Sequence, residues 1–294
     1  MNTFSGTGVA VVTPFDADGH VQIAALRRML LHLEANVEYL VMLGTTGETS
    51  TLSETEQMLI LDETFKQLGD RLPIVIGAGG NHTSKVCKQV QTLDKRYPAT
   101  GFLSVNPYYN KPSQAGLFQH FSAIAGSTDK EIILYNVPGR SASNLQAETT
   151  LQLAESCANI TAIKEASGDM GQIMEIIRRK PEGFELLSGD DLLALPMVAI
   201  GAKGLISVLA NAFPEEIGDM IRFALDGKLV QARRIHFEMM PLMQAIFAEG
   251  NPVGIKALLK QRGLCELGVR LPLVAASEHL QTQLASLQGM TKQG

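Results

Sequence analysis

A chain of 294 residues with 45% hydrophobic and 19% charged side chains can bury a sizeable core, which excludes a disordered protein. Its formal net charge of −5 at pH 7 argues against a nucleic-acid or anionic-membrane partner, since either needs a basic face. The cysteines, Cys87, Cys157 and Cys265, are far apart and odd in number, so neither a zinc site nor a disulfide framework is indicated.

The first residues, "MNTFSGTGVAVVTPFD", carry no basic region, and their apolar run is too short for a signal peptide. No segment approaches a membrane span, so the expectation is a soluble, cytoplasmic protein. Short β-rich runs then alternate with amphipathic helical windows. The predicted strands are 8–13 (GVAVVT), 38–43 (EYLVML), 73–78 (PIVIGA), 101–105 (GFLSV), 131–135 (EIILY), 160–164 (ITAIK), 184–188 (FELLS) and 204–208 (GLISV). Most are apolar on both faces, as a parallel sheet covered by helices requires.

Between them, 23–35 reads as a helix with Ala24, Leu26, Leu30, Leu31 and Leu33 largely on one face. The window 53–69 opens with a capping-box pattern, Ser53 then Glu56. The window 190–201 opens with Asp190 at the N-cap and ends at Gly201. The cluster Arg178-Arg179-Lys180 fits the last turn of a helix, where positive charge meets the helix dipole. "GAGG" at 77–80 reads as a tight strand-to-helix turn, because it lacks the Lys-Ser/Thr tail of a phosphate loop.

Repeated βα units predict a (β/α)8 TIM barrel. A doubly wound open sheet ranks below it, since "VVTPFDADGH" after the first strand lacks the G-x-G-x-x-G fingerprint. After Val208 the pattern is helical only. The expected division is a catalytic barrel over 1–224 and a C-terminal helical extension over 225–294. The methionines Met239, Met240 and Met243 are expected in a core or a subunit interface rather than against a cofactor.

In such a barrel the active site lies at the C-terminal ends of the strands. The residues there are "GTTGE" (44–48), "NPYYN" (106–110), Tyr135 with "NVPGR" up to Arg140, Lys164, and Gly189-Asp190-Asp191. His and carboxylate groups with metal-ligand spacing are missing from this rim, so no metal is expected. The acidic "GDD" fits a phosphate site poorly. A lysine walled by apolar side chains has its charged form disfavoured, and its free amine attacks carbonyls. A nearby tyrosine can carry protons, threonine hydroxyls can hold a carboxylate, and a rim arginine can hold a second one. Together these groups describe Schiff-base chemistry on an α-keto acid.

Taken singly, most of these groups have plain structural readings. Lys164 could pair with Glu165, although a strand neighbour should face the other way. "GTTGE" could be a turn and cap, Tyr135 a packing residue, and Arg140 a surface charge beside a Pro-Gly turn. Their convergence on one rim favours function.

"GTTGE", "YNVPGR" and "IKEASGD" in this order resemble the dihydrodipicolinate synthase family, within the wider N-acetylneuraminate lyase superfamily. The resemblance extends to "TPF", "NPYYNKPSQAGLFQHF" (106–121), "LLSGDD" (186–191), "GLISV" and "NPVGIK" (251–256), covering almost the whole chain. It implies that Lys164 forms the Schiff base with pyruvate and that Tyr135 shuttles protons. Thr45 would link to Tyr135, and Tyr109 would complete the relay from a neighbouring subunit. Thr46 and the backbone around Gly189 would hold the pyruvate carboxylate, Ile206 would line the pocket near the lysine, and Arg140 would bind the carboxylate of aspartate semialdehyde. It implies no metal or organic cofactor, and a homotetramer built as a dimer of tight dimers.

The alternative is a sister pyruvate-dependent aldolase acting on a sugar-derived aldehyde. Sialic-acid lyases of the superfamily show serine at the first hydroxyl of "GTTGE" and lack the arginine of "VPGR", whereas this chain has Thr45 and Arg140. The stretch "SASN" after Arg140 departs from the familiar pattern. A non-catalytic keto-acid sensor is a third reading, with nothing in the sequence to support it. In lysine-inhibited members the effector binds near "GTTGE" and the start of the third barrel helix. The matching positions here are Thr49, Ser50, Glu54, Gln57, Asn81 and Lys85. Lys85 stands where an acidic group would meet the effector's ammonium, so weak or no inhibition by L-lysine is expected.

Overall fold

The computed structural model describes residues 4–291. Parallel strands close into a barrel in sequence order. They are β1 (Gly6–Ala10), β2 (Tyr39–Met42), β3 (Ile74–Gly77), β4 (Gly101–Val105), β5 (Glu131–Asn136), β6 (Ile160–Glu165), β7 (Glu185–Ser188) and β8 (Gly204–Ser207). The last strand pairs back to the first, with Gly6 opposite Gly204 and Gly8 opposite Ile206.

Helices α1 (Ile23–Glu34), α2 (Glu54–Leu68), α3 (Thr83–Arg96) and α4 (Gln114–Ala125) follow the first four strands in turn. The connection after β5 holds α5 (Pro138–Ser141) and α6 (Ala147–Ser156). Helices α7 (Met170–Arg179), α8 (Ala194–Ala199) and α9 (Pro214–Leu225) follow β6, β7 and β8. The chain then runs through α10 (Leu229–Ala245), α11 (Val253–Gln261) and α12 (Glu278–Thr291). None of the described helices is long and apolar enough to cross a membrane.

The two-residue period of the strands sorts side chains into two cores. Ala10, Val41, Val75, Leu103, Ile133, Ala162, Leu187 and Ile206, one from each strand, pack together inside the barrel with Tyr39, Tyr135 and Phe4. The barrel is therefore filled rather than hollow. The alternate positions, among them Val9, Leu40, Ile76, Phe102, Leu134, Ile163 and Leu205, face outward and join the helices in one larger core. Each such Leu, Ile or Val contributes about 1.5–3 kcal/mol through burial. Met239 and Leu242 from α10, Ile246 at its C-cap, and Leu258 and Leu259 from α11 belong to that same core, so the C-terminal helices are continuous with the barrel's outer layer.

Several boundaries differ from the sequence reading. The first strand starts at Gly6 and leaves the regular ladder after Ala10. Its continuation bonds elsewhere: the Val12 amide donates to the Asn211 side chain and the Thr13 hydroxyl to the Gly47 carbonyl. On α1 the buried face is Ala25, Leu26, Met29, Leu30 and Leu33, while Leu31 is 55% exposed and Ala24 is exposed. A true 3.6-residue stripe through Leu26, Leu30 and Leu33 leaves no room for those two. The capping box at Ser53 and Glu56 forms as predicted. Helix α8 begins only at Ala194, because Asp190 caps a turn by accepting from the amides of Leu192 and Leu193.

Candidate active site

Strand alternation puts Lys164 and Tyr135 on the inward side. They are register partners on β6 and β5, in line with the inward Ala162 and Ile133. Lys164 is 5% exposed and Tyr135 is 6% exposed. Among the described residues no carboxylate lies within ion-pair distance of the Lys164 ammonium, which instead sits 4.4 Å from the centroid of the Tyr135 ring. Glu165 faces the opposite way, as the pleat requires. Its carboxylate is fully buried and accepts from Asn136, Gln172 and the Ser167 amide. The nucleophile candidate is therefore not neutralised by its neighbour in sequence.

Thr46, Tyr135, Arg140, Lys164 and Gly189 line one cavity of about 590 Å³ at the C-terminal end of the barrel. Arg140 reaches it from α5, where Pro138 starts a single helical turn and Ala142 closes it in the left-handed conformation. Gly189 is needed for its missing side chain: a Cβ there would meet Lys164 Cε at 3.0 Å and Cγ at 3.1 Å. Its amide is already used, donating to the Glu165 carbonyl at 2.8 Å. Thr45 is exposed and lines an adjoining cavity of about 440 Å³, which shares Tyr135, Val137 and Arg140 with the first.

Two sequence candidates line neither cavity. Tyr109 is 88% exposed, with a backbone φ of 75°, on the loop after β4. Ile206 is fully buried on β8 within the inner core. Among the described residues, the group of His, Cys, Asp and Glu side chains close enough to share a metal is Asp16, Asp18 and His20, on the loop after β1. Asp16 there already accepts from the amides of Asp18 and His20.

The structure adds residues that sequence reasoning did not select. Met243, Gln244 and Phe247 from the α10 region, with Asn251, form one side of the Lys164 cavity. Met243 thus serves both core and cavity, whereas the sequence reading assigned it to packing. Asn251 donates through Nδ2 to the Thr46 hydroxyl at 2.9 Å. Asn136 ties the Arg140 loop to the strands: it donates to Glu165 and Asn144, and accepts from Asn106 and the Leu145 amide. The segment "SASN" supplies several of these anchors, including the Ser143 carbonyl that accepts from Asn106. Asp191 is 1% exposed and accepts from the Ser207 hydroxyl and the Val208 amide, locking the ends of β7 and β8 together. Burial pushes the carboxyls of both Glu165 and Asp191 above their ordinary range. Asn251 opens the "NPVGIK" motif, and Asn136 and Asp191 fall in the strand-end stretches "NVPGR" and "GDD", but nothing in the sequence marks the partners that give them these roles.

A buried amine, a phenol on the adjoining strand, a threonine hydroxyl and a guanidinium around one cavity suit carbonyl chemistry on an anionic substrate. The model of the dihydrodipicolinate synthetase family matches residues 3–289. Curated relatives at 43–49% identity are named 4-hydroxy-tetrahydrodipicolinate synthase. The one from Flavobacterium psychrophilum is 46% identical over 286 residues, 97% of each chain. Among solved structures, dihydrodipicolinate synthase from Aquifex aeolicus matches with a TM-score of 0.94, 38% identity and 98% of each chain covered. A chloride-inhibited dihydrodipicolinate synthase from Acinetobacter baumannii, complexed with pyruvate, matches with a TM-score of 0.94 and 35% identity over 98% of this chain and 99% of that one.

Proposed function

The chain belongs to the dihydrodipicolinate synthetase family, and from that premise we propose how its cavity works as a 4-hydroxy-tetrahydrodipicolinate synthase, condensing pyruvate with L-aspartate 4-semialdehyde. The observation that carries the reading is the buried, carboxylate-free Lys164 amine against the Tyr135 ring. Unprotonated Lys164 attacks the keto carbon of pyruvate. Tyr135 passes a proton to the carbinolamine oxygen, which leaves as water and gives the imine. Loss of a methyl proton yields an enamine, whose carbon attacks the aldehyde of the second substrate. The aldehyde oxygen takes up a proton, and the substrate's own amine then closes the ring and displaces Lys164. The lysine itself is the electron sink, so the sequence of steps calls on no metal or organic cofactor.

Thr46, held by Asn251, and the backbone around Gly189 are assigned to the pyruvate carboxylate. Arg140 is assigned to the carboxylate of the semialdehyde, which a guanidinium can hold in bidentate fashion. Thr45 and Tyr109 complete the proton relay with Tyr135. The exposure of Tyr109 in the single chain supports its acting across a subunit boundary. Ile206 supports Lys164 from within the barrel. The reading includes a homotetramer of tight dimers in the cytoplasm, with 1–224 as catalytic barrel and 225–294 as the helical region beside its cavity.

A sugar-aldehyde aldolase is not favoured, because the curated relatives carry the synthase name. The test is turnover of pyruvate with aspartate semialdehyde, run beside sugar aldehydes and N-acetylmannosamine. Selective use of the semialdehyde is expected. Preference for a sugar aldehyde would keep the lysine chemistry and overturn the substrate assignment.

A further inference from the structure

The turn that carries Thr45 and Thr46 is bracketed by strained backbone. Leu43 has φ 56° and Glu48 has φ 55°, left-handed values that strain a non-glycine residue. Glu48 closes the Thr45–Gly47 turn through its amide, which donates to the Thr45 carbonyl, and its own carbonyl accepts from Thr51. A glycine would adopt this conformation without strain. The chain places a glutamate there and buries its side chain to 2% exposure.

That carboxylate is gripped from the far end of the sequence. Lys256, on α11 and fully buried, donates to Glu48 Oε1 and, at 2.7 Å, to the Gly268 carbonyl. The Arg270 amide donates to Glu48 Oε2 at 3.1 Å, and the Phe15 ring lies 4.3 Å from the Lys256 ammonium. Burial works against the charge of Lys256 and Glu48 opposes that effect. A buried ion pair of this kind is a weak source of stability, because an apolar pair of equal volume serves as well. It does fix direction, and here it fixes the one strained residue that ends the Thr45–Gly47 turn.

We propose that Glu48 and Lys256 are positioning residues, holding the Thr45–Thr46 turn in the geometry that binds the keto-acid carboxylate. The pair touches no substrate. It acts through the turn, as Asn251, five residues before Lys256, acts on Thr46 directly. This inference rests on the reading of Lys164 as the Schiff-base lysine.

The test uses the double variant Glu48→Gln/Lys256→Met, which removes both charges and so avoids stranding one of them, beside Arg222→Ala. Arg222 bonds Glu38 and Asp219 at the opposite end of the barrel, so its loss lowers stability without reaching the turn. Melting temperature, the KM of each substrate and kcat are measured for all three proteins. The double variant is expected to raise the pyruvate KM about tenfold or more, with the semialdehyde KM changed far less, and Arg222→Ala to leave both KM values near wild type. A folded double variant with wild-type pyruvate KM would overturn the proposal, as would an equal rise in both KM values. Borohydride trapping of pyruvate on the wild-type chain separates the two claims. No wild-type adduct means that the Schiff-base reading fails; a normal adduct with an unaffected double variant means that only the positioning role fails.

Discussion

Lys164 and Tyr135 face each other across neighbouring strands, with the ammonium 4.4 Å from the phenol ring centroid. The proposed nucleophile and proton carrier are thus set by strand register rather than by a loop. Tyr135→Phe keeps the ring and removes the hydroxyl. It should still form the pyruvate adduct while kcat falls by about 10²–10⁴-fold, the usual contribution of a positioned proton donor. Steady-state turnover checks this, and an unchanged kcat would take Tyr135 out of the proton path.

Arg140 sits on a one-turn helix whose following residues are anchored by Asn136 and Asn106. Arg140→Ala should therefore leave the loop in place and remove only the guanidinium. A charged hydrogen bond of about 1.5–3 kcal/mol corresponds to a rise of roughly 10–100-fold in the KM for the semialdehyde, with little change for pyruvate. Equal losses for the two substrates would mean that Arg140 only supports the loop.

Lys85 and Lys88 line a cavity of about 680 Å³ together with Glu54, Gln57, Asn81 and Tyr108. Two ammonium groups there oppose a cationic effector. Half-maximal inhibition by L-lysine should lie above about 1 mM, and Lys85→Glu should bring it down. Titration of initial rates with L-lysine decides the matter, and sub-millimolar inhibition of the wild type would contradict the expectation.

His120 on α4 is 5% exposed, with the Thr83 hydroxyl 2.9 Å from Nδ1. Burial pushes its imidazole down to about 4 from 6.5. Between those values the unfolded chain takes up a proton that the folded chain refuses. The folded state is thus unpenalised above about pH 6.5 and loses roughly 3 kcal/mol as the pH falls to 4. Glu165 and Asp191, pushed the other way, give the opposite slope, so a variant comparison is needed. The stability of His120→Gln, measured by urea unfolding at pH 7 and pH 5, should fall less with acid than that of the wild type. Parallel changes would show that His120 does not titrate as described.

Much of this architecture is legible in the sequence because it is local. A buried parallel strand is a short apolar run, and the residues just after each run fall on one rim, so Thr46, Tyr135, Arg140, Lys164 and Gly189 could be named together. The features that stayed hidden depend on partners distant along the chain. Asn251 meets Thr46 across 205 residues and Lys256 meets Glu48 across 208, with no periodicity to announce either. Asp190 and Asp191 illustrate the opposite difficulty. Both look like caps, yet Asp190 caps a turn while Asp191 is buried against Ser207 and Val208. Tyr109, expected to act from a neighbouring subunit, lies on a rim loop, is 88% exposed in the single chain and lines neither cavity.

The buried amine of Lys164 is the proposed nucleophile. Incubating the enzyme with pyruvate and borohydride, then mapping the product by mass spectrometry, tests it most directly. One reduced pyruvate per chain is expected on the peptide containing Lys164. In Lys164→Ala the adduct should be absent, and turnover should drop about 10³-fold or more with the fold intact. An adduct on another residue, or a Lys164→Ala variant with near-normal turnover, would contradict it.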